Sequence, residues 1–336
     1  MRFSIEKPTL RDTNIAMKKR IKNMIIFLKR LWLWSENIAI IVLISLTFYI
    51  TIPIKSTSTI LLPKGSIGNI ISQLTKKGFA LSPIDRYILK LMGKPKHGWI
   101  EIGKSPLNRI DFLYKLINPR GAIDKITLIP GETMEIFLRD IASDLNLNSD
   151  KLIRYYKEFS PYPEAGIYPD TYHLPKGIGE RNLIKFLVNQ SDKKYKSISD
   201  EIYQEYNQTK WLKILIIASI IQKEAANNEE MPIVASVIYN RLKKNMRLQM
   251  DGTLNYGIYS HIKVTPKRIR EDKTSFNTYK KRGLPHSPIG AVSLTAINSA
   301  INPAKTNYLY FMLNSKGTHN FTTTFREHKK NVRRGY

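Results

Sequence analysis

The residue best suited to chemistry is Glu224, the single carboxylate in the run LIIASIIQKEAA at residues 215–226. On a helix, Ile217, Ile220 and Ile221 lie seven, four and three residues before it, so its carboxyl emerges beside branched aliphatic side chains. Desolvation penalises the anion there and moves a glutamate from about 4.3 towards roughly 6, the range of a general acid near neutral pH. The same pattern also describes the solvated edge of an amphipathic helix. Six polar residues follow on Gly/Pro-rich loops: Gln249, Asp251, Asn255, Asn277, Tyr279 and Asn302. Beside a helix-borne acid they could line a groove, and each could equally be a satisfied loop group.

Other chemistries find less support. Cysteine is absent, which removes disulfides, thiolate nucleophiles and Cys-ligated metal sites. His97, His173, His261, His286, His319 and His328 show no metal-ligand spacing. No glycine-rich phosphate loop follows a strand and no G-x-S-x-G elbow is present. Neither a metal nor a cofactor is expected.

The elements that must position Glu224 are those of an α+β chain. The helix bearing the acid is followed by Asn227, Asn228, Glu229, Glu230 and Pro232, which are helix-start signals, and by a stripe of Val234, Val237, Ile238 and Leu242. The pattern predicts a helix hairpin. Upstream, ITLIPGETMEIFLRDIA from residue 126 reads as a strand, a Pro-Gly turn and a helix with Ile136, Ile141 and Ala142 inward. The loop at 162–173, YPEAGIYPDTYH, combines aromatic, hydroxyl and carboxyl groups, Glu164 among them, and such groups suit carbohydrate. Residues 308–313 read as a buried strand.

Residues 37–54 hold eighteen positions without a charge, long enough to span a bilayer, after a basic, aromatic segment at 17–34. The positive-inside rule places the N-terminus in the cytoplasm and nearly everything beyond Lys55 outside. A cleaved signal peptide is the rival reading, with a normally shorter apolar region. Between 58 and 124 the pattern predicts a small strand–helix–helix–strand module. Its helices are marked by Ile67, Ile70, Ile71 and Leu74, and then by Tyr87, Ile88 and Leu91, with a third helix over 107–117. The net charge of +27 fits an anionic wall polymer or lipid behind an anchor, and a compositional Lys/Ile bias would produce it with no partner. Nucleic acid is not expected, since aromatic and basic residues do not interleave on one face.

Several phrases, in order, resemble the endolytic murein transglycosylases, the YceG-like family: YPDTY at 168–172, ASIIQKEA at 218–225, VASVIYNRLKKNMRLQMDGTLNYG at 234–257, FNTYKKRGLPHSPIG at 276–290, NPAKTNYLYF at 302–311 and GTHNFTTTFREH at 317–328. The likeness runs from about residue 37 onward. It implies a bacterial enzyme held in the cytoplasmic membrane by one helix, with a cytoplasmic segment at 1–36, an anchor at 37–54, a LysM-like module at 58–124 and a catalytic domain at 125–336. The family's catalytic glutamate falls on Glu224, the second acid of an E-K-E phrase whose first position here is Gln222. The family's usual proline is replaced by Gly252, its first tyrosine of Y-N-T-Y by Phe276, and a glycine by Ala165 with Gly166 next. The implied reaction cleaves the MurNAc–GlcNAc bond of nascent glycan strands to leave 1,6-anhydro-MurNAc ends, terminating elongation and needing no second carboxylate. Gln249, Asp251, Asn277, Tyr279 and Glu164 are the expected substrate-binding residues. A second carboxylate drawn from Glu164, Asp170 or Asp251 would make it a hydrolase. Peptidoglycan synthases are possible partners, and a non-catalytic wall-binding scaffold that recruits them is the alternative.

Overall fold

The computed structural model describes residues 10–103 and 106–334, arranged as two compact units divided between Ala122 and Ile123. The first begins with helix α1 (Leu10–Thr51), whose stretch Arg20–Thr51 is long and apolar enough to cross a membrane and includes an apolar window of eighteen residues with none buried. The helix stops short of the uncharged run's end. Pro53 cannot continue it, and Pro53–Ile54 instead forms strand β1, paired with β4 (Leu107–Asn108), so Ile54 is buried in the adjoining core.

That core belongs to a small module of β2 (Thr59–Leu62), α2 (Ile67–Lys76), α3 (Pro83–Met92), β3 (Gly98–Glu101), α4 (Arg109–Ile117) and β5 (Arg120–Gly121). β2, β3 and β5 make an antiparallel sheet with β3 central. Ser66 and Ser82 cap α2 and α3, the latter through a capping box with Asp85 and with Pro83 at the first turn. The core takes Ile70, Ile71 and Leu74 from α2 and Leu89 from α3, with Ile88 and Met92 packed against it. Tyr87 and Leu91, expected beside Ile88, are exposed instead.

The second unit contains two cores. In the first, α5 (Met134–Leu145), α6 (Ser149–Phe159) and α7 (Glu180–Tyr203) pack on the antiparallel pair β6 (Ile123–Thr127) and β7 (Thr171–Pro175), whose register runs from Ile123 opposite Pro175 to Thr127 opposite Thr171. Phe137, Leu138, Ile141 and Ala142 are the inward residues of α5, and Ile136 is half-buried. The other core is built on α8 (Gln208–Glu224), α9 (Met231–Lys243) and α11 (Leu294–Ile301). α8 is buried continuously over residues 215–221, so it is a central helix wrapped on all sides and not an amphipathic one. Ser219 is accommodated by donating to the Ile216 carbonyl and accepting from the Ile289 amide. α10 (Pro266–Glu271), the antiparallel pair β8 (Tyr310–Leu313) and β9 (His319–Thr322), and α12 (Phe325–Arg334) complete the unit.

Candidate active site

Glu224 is the last residue of α8, where the wrapped helix emerges from the core. The residue keeps partial solvent access, yet protein surrounds its carboxyl, and this desolvation pushes the pKa up to about 7. Three neighbours modulate it. The Gly252 amide donates to Oε1 at 2.5 Å and favours the anion, the Asp251 charge favours the acid, and the Arg241 charge favours the anion. Burial is the largest effect, so the acid form persists to neutral pH.

Gly252 approaches so closely that a Cβ there would lie 2.7 Å from Lys223 Cβ and 2.8 Å from Glu224 Oε1. Only glycine lets this amide reach the carboxylate without displacing α8. A proline at this position would have no N–H to offer. The preceding Asp251 is exposed and accepts from the Tyr279 hydroxyl at 2.6 Å; burial, then Asp251 and the Glu224 charge, hold that phenol well above its ordinary value. Glu224, Asp251 and Tyr279 therefore form one cluster.

The remaining expected site residues are placed differently. Asn277 is fully buried; its amide donates to the Ile269 and Asp272 carbonyls, both at 2.8 Å, and its Oδ1 accepts from the Tyr279 amide at 3.2 Å. It clasps the loop that presents Tyr279, with no donor left for a ligand. Gln249 is exposed, sits at φ +48°, and donates its backbone amide to the Thr278 carbonyl. Glu164 accepts from the Met134 amide at 2.9 Å and lies near Lys223, Glu132 and Glu135; burial and the two like charges push it up to about 8. Asp170 accepts from the Thr171 amide at the start of β7.

A second set of contacts braces the same end of α8. Lys223 donates to Ser260 Oγ at 2.8 Å, and Glu132 pairs with His261 at 2.7 Å while accepting from the Thr133 amide. Burial works to raise the Glu132 pKa but these bonds outweigh it, and the carboxyl lies below its ordinary value. The 131–132 turn pairs with Ala291 through two 2.7 Å backbone bonds, against Gly290, whose absent Cβ would lie 2.8 Å from the Gly131 carbonyl. Gln222 faces this side and accepts from the Ser293 amide. It takes no part in the Glu224 cluster: two residues apart on a helix, the two side chains point to different sides.

Sequence reasoning did not single out Arg241 or the Gly252 amide. Buried Arg241 donates to the Leu309, Arg247 and Leu248 carbonyls, joining α9 to the strand approach and to the loop that leads into Asp251. Its position in the last turn of α9 reads as an ordinary favourable charge at a helix C-terminus. His286 and His319 are committed elsewhere, to Ser275 and Glu230.

Residues 60–334 match the YceG-like family. The chain belongs to that family. Among its YceG-like relatives, an endolytic murein transglycosylase of Bacillus subtilis is 28% identical over 82% of this chain and 84% of its own length. One of Streptococcus pneumoniae is 29% identical over 50% of this chain, a stretch that spans 31% of that longer protein. A crystal structure of a YceG-like protein from Listeria monocytogenes superposes with a TM-score of 0.55 at 29% identity, covering 82% of this chain and 99% of that one.

Proposed function

We propose that this chain is an endolytic murein transglycosylase, a lyase that cuts peptidoglycan glycan strands through Glu224. The observation that carries the reading is a carboxyl at the end of a buried helix, raised to about 7 by desolvation and bonded on one oxygen by a backbone amide. Because Oε1 accepts from the Gly252 amide, the carboxylic proton resides on Oε2, the oxygen left for donation. Glu224 gives that proton to the oxygen linking N-acetylmuramic acid to N-acetylglucosamine, and the leaving sugar departs through an oxocarbenium-like state. The resulting carboxylate, held by the Gly252 amide and the Arg241 charge, takes the proton of the muramyl C6 hydroxyl. That oxygen bonds to C1 and closes the 1,6-anhydro ring, so one bond breaks, one forms and no water is consumed.

Asp251 and Tyr279 stand beside the acid as the sugar-facing pair, Gln249 is the exposed polar group next to them, and Asn277 acts beneath, by holding Tyr279 in place. Glu164 belongs to the brace at Lys223. Around this chemistry we place α1 in the cytoplasmic membrane with its N-terminus in the cytoplasm, the first unit as a LysM-like glycan-binding module, and peptidoglycan synthases as the source of nascent strands whose growth the cut ends.

The test is mass spectrometry of the soluble products released from sacculi by the detergent-solubilised full-length chain and by Glu224→Gln. Fragments ending in 1,6-anhydro-muramic acid from the wild type alone are expected. Reducing ends would mean hydrolysis, with Asp251 as the second carboxylate, and the absence of products from both would leave a wall-binding scaffold.

A further inference from the structure

Helix α3 presents apolar side chains on two faces. Asp85, Ile88, Leu89 and Met92 turn towards the first unit's core, whereas Ile84, Tyr87 and Leu91, spaced to share the other face, are 50%, 55% and 90% exposed. A leucine left almost wholly in water forgoes the stabilisation that burial of its side chain would bring. Cations border this stripe. The Arg86 guanidinium lies 4.8 Å from the Tyr87 ring centre and donates to its hydroxyl at 2.7 Å, Lys90 Nζ lies 5.8 Å from the same ring, and exposed Lys94 and Lys96 follow. The helix's one acid, Asp85, is buried and paired with Arg109 at 2.7 Å. An apolar stripe, an aromatic bearing a polar tip and a border of long cations are what a helix at a lipid–water boundary requires.

A second, independent observation ties this helix to the anchor. The hydroxyl of Tyr49, near the end of α1, lies 2.6 Å from Ser82 Oγ, the cap of α3, and donates to Asp85 at 3.0 Å, while the Arg109 guanidinium sits 4.3 Å over its ring. A tyrosine at the end of a spanning helix lies at headgroup depth. α3 therefore starts at headgroup depth. Leu91 is eight residues beyond Pro83, about 12 Å along the helix axis, so the stripe stays at the boundary when α3 lies along the membrane plane.

We propose that α3 is a second membrane contact: its Ile84, Tyr87 and Leu91 face enters the outer surface of the bilayer that α1 crosses, with Arg86, Lys90, Lys94 and Lys96 on anionic phospholipid headgroups. The contact sets the tilt of the first unit on the bilayer. It rests on the reading of α1 as an anchor, and the experiment separates the two.

Because the chain has no cysteine, Leu91→Cys and Ile44→Cys each give a unique site for an environment-sensitive fluorophore. The full-length chain is reconstituted into vesicles of phosphatidylglycerol and phosphatidylethanolamine carrying doxyl-quencher lipids. The label at 44 is expected to be quenched by deep doxyl and the label at 91 by shallow doxyl. Replacing phosphatidylglycerol by phosphatidylcholine, or adding Arg86→Gln with Lys90→Gln, is expected to lower the quenching at 91 by about twofold or more and to leave 44 unchanged. Quenching at 44 with none at 91 would overturn the α3 contact and keep the anchor. Loss at both positions would overturn the anchor and, with it, the contact. Quenching at 91 indifferent to lipid charge and to the Arg86/Lys90 change would overturn the assignment to anionic headgroups.

Discussion

Glu224 obtains its acidity from competing neighbours, and the competition is open to titration. Burial holds its pKa up near 7, the Asp251 charge adds to that, and the Gly252 amide and Arg241 pull the other way. Since Glu224 must be protonated to donate, activity should fall as pH rises through about 7. Asp251→Asn removes the negative charge yet keeps an oxygen to accept the Tyr279 hydroxyl bond. With the like charge gone, the Glu224 pKa drops, and the alkaline limb of the rate profile should move to lower pH. A kcat/KM profile from about pH 4 to 9 on defined glycan strands checks this. A limb that stays in place, or that moves to higher pH, would show that Asp251 does not act on the acid's charge.

At the scale of the elements, the helix carrying Glu224 was legible because its aliphatic residues end on one acid. Its environment was not, since period 3.6 marks a face and says nothing of a helix covered on every side, as α8 is over residues 215–221. α3 failed in the opposite sense: Tyr87, Ile88 and Leu91 fit one stripe on paper, but the core takes Ile88 and leaves the other two outside it. Arg241 and Asn277 act through bonds to carbonyls distant in sequence, which no local pattern encodes. The turn at 164–166 was flagged by its departure from the family's glycine, and the structure gives the reason. Ala165 sits at φ +58°, the left-handed region, with its carbonyl accepting from Tyr195, while Gly166 has no room for a side chain, since a Cβ there would lie 1.9 Å from Ser160 Oγ. Alanine there stores backbone strain that the buried Tyr195 bond sustains. Ala165→Gly should therefore stabilise the second unit by up to about 1 kcal/mol, read as a higher denaturant midpoint at unchanged slope. A lower midpoint would mean that the lost methyl group's packing outweighs the strain.

For the molecule as a whole, five buried or half-buried carboxyls of the second unit fall into two groups with opposite effects on stability. Glu132, Glu230 and Asp272 lie below their ordinary values, held as anions by hydrogen bonds from Thr133 and His261, from His319, and from Thr274 despite burial. Their contribution is present above the unfolded carboxylate pKa and is lost as pH falls through the folded values. Glu224 and Glu164 are raised, to about 7 and about 8, so the folded chain keeps protons there that the unfolded chain releases above about 4.5. What they contribute is complete below 4.5 and is lost as pH rises through 7 and 8. Together these five carboxyls favour the folded chain most on the acid side of neutrality. Glu164→Gln isolates one of these terms without touching the proposed acid, because glutamine still offers the Met134 amide an oxygen. At pH 8.5 the variant should be more stable than the wild type by on the order of 4 kcal/mol, roughly 10 °C in Tm for a unit of this size. At pH 4 the difference should vanish, since both side chains are then neutral. Calorimetry of the full-length chain at the two pH values decides it: an advantage of the same size at both would assign the effect to packing, and none at either would show that Glu164 does not keep its proton in the folded unit.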